Sequence, residues 1–109
     1  MADAFQRFAA LRPADTNEAD LYASTVGSII GVVHVCNQHT AALTYRVALT
    51  DAGTGVAADG ADFLEYDTTI QPNTSHKVTI EGTTGTTTIR VKASLADKIS
   101  FIFMGVKIT

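Results

Sequence analysis

From Leu21 onward the apolar residues of this chain recur at every second position, in short runs broken by turn signals. The clearest run is Ala42–Thr50. Leu43, Tyr45, Val47 and Leu49 share one face of an extended chain, and Thr44, Arg46, Ala48 and Thr50 share the other. His76–Glu81 repeats the pattern with Val78 and Ile80 inward. Thr87–Ser94 repeats it with Ile89, Val91 and Ala93 inward and Arg90 and Lys92 outward. Leu21–Thr25, Ile29–Asn37, Asp62–Ile70 and Ile99–Thr109 complete the series. Between them lie Gln38–Ala41, the Gly- and Ala-rich loop Asp51–Gly60, Gln71–Ser75, a turn around Gly85 at Gly82–Thr86, and Leu95–Lys98. Pro72 and Asn73 suit the centre of a turn. Roughly one residue in seven is threonine, which with valine and isoleucine favours a pleated surface over a helix.

Seven or eight short strands with turns every 8–12 residues predict an all-β chain folded as an antiparallel β-sandwich. No long amphipathic segment lies between the strands, which argues against parallel βαβ units. Jelly-roll and immunoglobulin-like topologies both fit. The paired cysteines around a tryptophan that mark immunoglobulin domains are missing, since the chain has one Cys and no Trp.

The first 20 residues differ. Phe5, Phe8 and Leu11 fall three apart among alanines, the spacing of a two-turn helix. Pro13 then stops it, and residues 13–20 are polar. A helix this short is marginal alone. Residues 1–20 therefore read as an N-terminal arm of helix plus linker, and residues 21–109 as the sandwich domain.

Two strands are apolar on both faces. In one, Ile29, Val33 and Val35 oppose Ile30, Val32, His34 and Cys36. In the other, Ile99, Phe101 and Phe103 oppose Ile102, Met104, Val106 and Ile108. A sandwich strand needs only one apolar face. The second must be covered by the arm or by another subunit, which predicts a homo-oligomer or obligate docking. Phe5, Phe8 and Leu11 are the expected arm anchors. Ile29, Val33, Phe101 and Phe103 are the expected core or interface residues.

Charge and composition exclude other roles. Eight Lys and Arg stand against eleven Asp and Glu, for a formal net charge of −3. A nucleic-acid partner is not expected without a basic stripe. No apolar run reaches the roughly 18–20 residues of a membrane span, and the N-terminus has no signal-peptide pattern. One cysteine makes no internal disulfide.

Chemistry-bearing residues are sparse. His34, His39 and His76 form no zinc pattern, and His34 with Cys36 lacks a third ligand. These two read as small buried side chains, and Cys36 as inert in an apolar strand. Asp51, Asp59, Asp62, Glu65 and Asp67 lack the spacing of a calcium loop and read as solvated carboxylates. No nucleophile elbow or phosphate-binding glycine loop is present. Neither a cofactor, a metal nor an enzymatic activity is expected.

Several strand motifs do stand out: Leu21-Tyr22, Val33-His34-Val35-Cys36-Asn37, Tyr45-Arg46-Val47-Ala48-Leu49, Leu64-Glu65-Tyr66-Asp67, Ile89-Arg90-Val91, Ser100-Phe101 and Met104-Gly105-Val106. In this order the chain resembles small virion proteins of tailed bacteriophages, over residues 21–109, with Arg7 to Leu11 similar in placement. It departs from them in lacking the usual Val-Pro after Leu21-Tyr22 and in a less regular 51–60 loop. The resemblance implies a β-sandwich building block of a phage particle, made in the host cytoplasm. Its most natural role is a capsid decoration or cement protein, contacting copies of itself, a trimer being common among such proteins, and the major capsid protein. A tail, collar or baseplate accessory or fibre adaptor is the alternative, and a carbohydrate-binding module a further one. The resemblance carries over no catalytic residue.

Overall fold

In a computed structural model that describes residues 5–24, 28–51, 53–80 and 87–108, the chain forms eight strands. They are β1 (Gln6–Leu11), β2 (Ala19–Ser24), β3 (Ser28–Asn37), β4 (Leu43–Thr50), β5 (Phe63–Ile70), β6 (Ser75–Ile80), β7 (Thr87–Ala93) and β8 (Ile99–Ile108). A single 3-10 turn, Gly60–Asp62, precedes β5. The expected turn at residues 82–86 lies outside the described residues.

The pairing is nested. β4 pairs with β5, β3 with β6, β2 with β7 and β1 with β8, all antiparallel. The chain is thus one long hairpin, rolled so that successive pairs fall alternately in two sheets. The β3–β8 and β4–β7 pairs close the sheets, giving the orders β1-β8-β3-β6 and β2-β7-β4-β5. This is the connectivity of a jelly roll, so it decides between the two sandwich topologies.

The core fills the space between the sheets. Ile29, Val33 and Val35 of β3 and Ile99, Phe101 and Phe103 of β8 face Val47, Ile89 and Val91 of the other sheet, all without solvent exposure. Val78, Ile80, Ile89, Val91 and Ala93 point inward, as their alternation requires.

The N-terminal segment is a correction. Gln6–Leu11 is not a helix but edge strand β1, paired with β8. The register slips between Arg7 and Ala9, so Phe8 is an extra residue. Such a bulge turns neighbouring side chains to one side. Phe8, Ala9 and Leu11 pack on the core, with the Phe8 ring 5.1 Å from Tyr22 and 5.2 Å from Phe103. The bulge thereby brings Phe8 and Leu11, three apart, to one side, and leaves Phe5 exposed. The sheet edge also supplies backbone hydrogen bonds that an isolated two-turn helix could not hold against water. β1 belongs to the sandwich, and a boundary at residue 20 falls inside β2.

Candidate docking surface

The outward face of the β1-β8-β3-β6 sheet can be read row by row from its register. Val106 lies opposite Ile30. The next row runs Arg7, Met104, Val32, Thr79, and the one after it Ala10, Ile102, His34, Lys77. Ser100, Cys36 and Ser75 form the last. The two central columns are therefore apolar over two rows, Ile102 extends the β8 column into a third beside His34, and a cation stands at each flank. Ile30 is 44% exposed, and Val32, Ile102, Met104 and Val106 are half-buried. Where β1 ends, a shallow hollow of about 370 Å³ is lined by Ala10, Arg12, Gln38, Ser100 and Ile102 among others.

The opposite sheet is treated differently. Ala48, Thr50, Thr88 and Arg90 also point away from the core, alternating with Val47, Leu49, Ile89 and Val91, yet all four are buried. The loop after β4 is tied down on this side as a roof, through the carboxylates that bind Arg90. Arg90 binds the carboxylates of Glu18 and Asp20, and its second terminal nitrogen donates to the Glu18 carbonyl at 3.3 Å. Those carboxylates accept in turn from the loop: Glu18 from the Ala58 amide at 2.8 Å, Asp20 from the Gly55 amide at 2.9 Å. Burial works against the Arg90 charge, but its bonds to Glu18 and Asp20 more than offset this and its pKa is raised. Arg90 is outward, as its alternation requires, yet only 6% exposed. The chain roofs one sheet with its own loop and leaves the other open.

The expected interface residues divide accordingly. Ile29, Val33, Phe101 and Phe103 have no exposed surface and serve the core, so they have nothing to offer a partner. Phe8 and Leu11 pack on their own chain's core. Phe5 alone of the seven is exposed, at 65%. The residues that do face outward are the other half of the same two strands, Ile30, Val32, Ile102, Met104 and Val106. Period-two reading had separated the two halves but could not say which faced the second sheet. His34 and Cys36, expected buried, sit half-exposed on this open face.

Asn37, last of the Val-Cys-Asn motif, has a role that sequence reasoning missed. Fully buried, its side-chain amide donates to the carbonyls of Ala41 and Ile70 at 3.0 Å and of Gln71 at 3.3 Å, while its oxygen accepts from the His39 amide at 2.8 Å. It fastens the β3–β4 turn to the β5–β6 turn and so fixes one end of the open sheet. Asn between a strand and a turn is the only signal the sequence offers, and it is a weak one.

Near that end the Tyr45 hydroxyl lies 3.0 Å from His76 Nδ1, with Tyr45 2% exposed. Burial, aided by the Glu65 charge, pushes the Tyr45 pKa up to about 12. The unfolded chain ionises near 10, so this residue's contribution is fully present below pH 10 and is lost as pH rises toward 12. Phenolate absorbance should show a late step toward pH 12 from Tyr45, together with a stability that falls over this interval. Tyr45→Phe should remove the late step; its persistence in that variant would refute the assignment.

A second exposed cluster lies on β5. Arg46 donates to both Asp67 oxygens, at 2.7 and 3.0 Å, and its guanidinium sits 4.0 Å from the centre of the Tyr66 ring. The hydrogen bond from Arg46 holds the Asp67 carboxyl below its ordinary pKa. Tyr66 is 59% exposed, but Arg46 covers one ring face; Tyr22 and Tyr45 pack on the core. The loop acids are engaged locally: Asp59 and Asp62 form a capping box, and Glu65 accepts from the Thr68 hydroxyl at 2.8 Å. Among the described residues, no group of three or more His, Cys, Asp or Glu side chains is drawn together.

No family model matches the chain, and no curated protein matches it.

Proposed function

We propose that the protein is a structural subunit of a bacteriophage particle, in the first place a capsid decoration or cement protein, that assembles by covering the open face of its β1-β8-β3-β6 sheet. One observation carries this reading. The chain roofs one sheet with its own loop and leaves on the other an apolar surface of Ile30, Val32, Ile102, Met104 and Val106. A contiguous apolar face of this kind marks an interaction site. The strand motifs of small phage virion proteins give that interaction its setting. Many such contacts on one particle would act together, so each can be weak.

The test is incorporation into particles of the phage or prophage that encodes the chain. Val32→Asp with Met104→Asp places two charges on the open face without touching the core. The variant should keep the wild-type circular dichroism spectrum and lose most of its occupancy on purified particles; full occupancy would refute the reading. Copy number by quantitative mass spectrometry separates decoration, with many copies, from a tail, collar or baseplate accessory, with few.

A further inference from the structure

The charges of this chain are sorted in space. The four strands of the open sheet hold Arg7, Lys77 and Lys107 and no acid, and Arg12 follows β1 directly. Arg7 and Lys77 flank the apolar columns in adjacent rows. Residues 51–70, the loop after β4 and strand β5, are the converse, with Asp51, Asp59, Asp62, Glu65 and Asp67 and no Lys, Arg or His. Arg46 pairs with Asp67, but no cation among the described residues forms an ion pair with the other four. The same acidic segment exposes Val56, Leu64 and Tyr66. The open sheet face is apolar and cationic; the 51–70 segment is acidic and carries exposed apolar side chains, with Arg46 and Lys92 on the strands beside it.

We infer that the chain self-associates head to tail, the open sheet face of one copy docking on the acidic 51–67 segment of the next. This rests on reading the chain as an assembling subunit, and it names the first partner as a second copy. Charge decides the mode. A two-fold dimer of open faces would press cations against cations with no acid on either side, whereas the head-to-tail contact sets the cationic flanks against carboxylates. The area suits a weak contact. Strands of 6, 10, 10 and 6 residues, at about 3.4 Å per residue and about 4.8 Å apart, present roughly 520 Å², about two-thirds of the roughly 800 Å² per partner of a standard interface. A head-to-tail contact uses two different surfaces, so it propagates into a ring or a filament rather than stopping at a dimer.

Sedimentation velocity of the full chain over a concentration series tests this. The wild type should grow beyond twice its 11.5 kDa mass as concentration rises, and shrink as salt screens the contact. Arg7→Glu with Lys77→Glu, and separately Asp51→Lys with Leu64→Lys, should each weaken association at least tenfold while the folded spectrum is kept. Mixing the two variants should restore it, because each then finds its complement. Association unchanged by Asp51→Lys with Leu64→Lys would overturn the head-to-tail mode in favour of a two-fold pairing of open faces. A wild type that stays monomeric overturns self-association, and one that also sediments with phosphatidylserine vesicles assigns the face to a lipid surface. A monomer that still occupies particles overturns this inference alone and leaves the virion reading standing.

Discussion

Gly31→Ala is expected to lower the melting temperature by about 15 °C. Gly31 and Gly105 lie directly opposite one another where β3 and β8 pair, at the centre of the open sheet. The two backbones approach so closely that a Cβ on Gly31 would stand 2.2 Å from the Met104 carbonyl oxygen and 2.8 Å from the Gly105 Cα. A Cβ on Gly105 would meet the Ile30 carbonyl oxygen and the Gly31 Cα at the same distances. The obstacle in each case is backbone, which has no rotamer to escape into. Relief requires β3 and β8 to part, and the neighbouring core residues Ile29, Val33 and Phe103 ride on those two strands. The cost belongs at the upper end of overpacking, about 3 kcal/mol, out of the 5–15 kcal/mol typical of a domain. Gly60→Ala is the control, since a Cβ there meets nothing within 4 Å. Thermal melts followed by circular dichroism decide the matter. If Gly31→Ala melts with the wild type, the close approach is not a constraint on the fold.

Gly31 also illustrates what the sequence alone can and cannot reveal. Alternation locates the strands because one face of each must be apolar to reach the core, and that requirement is written in adjacent residues. Val78 and Ile80, or Ile89, Val91 and Ala93, could be placed without knowing any partner. Pairing is another matter. Gln6 meets Gly105 from nearly opposite ends of the chain, and nothing local in either records the other. The roll was therefore open between two topologies until the register closed it. The helix expected over Phe5, Phe8 and Leu11 failed for a related reason: a bulge needs a partner strand to define it, so its three-residue spacing looks helical when read alone. The same gap separates core from surface in β3 and β8. Their two apolar faces were legible, but which one faced the second sheet depended on the twist and order of strands contributed by the rest of the chain. The open surface is the complement, on the same two strands, of Ile29, Val33, Phe101 and Phe103.

Arg90→Met should cost about 3 kcal/mol and act on a place remote from the substitution, the loop after β4. Methionine keeps much of the volume and gives up the charge. What remains is Glu18 and Asp20 without the cation that bridges them. Removing one partner of a largely buried ion pair is expensive because of the charge left behind. These two carboxylates keep some contact with solvent, which holds the figure to the lower part of that range. They are also the pegs of the roof, through the amides of Gly55 and Ala58. Hydrogen exchange should therefore speed up at Gly55 and Ala58 more than at the core amides of β3 and β8. Arg46→Ala provides the contrast. Its pair with Asp67 is solvent-screened and pegs no loop, so it should disturb the melt far less. If loosening of the roof also weakens association, the acidic 51–67 segment must be held in place to be recognised. If Arg90→Met frees the amides of Gly55 and Ala58 and the melt does not move, the roof is an appendage of the sandwich rather than part of its stability.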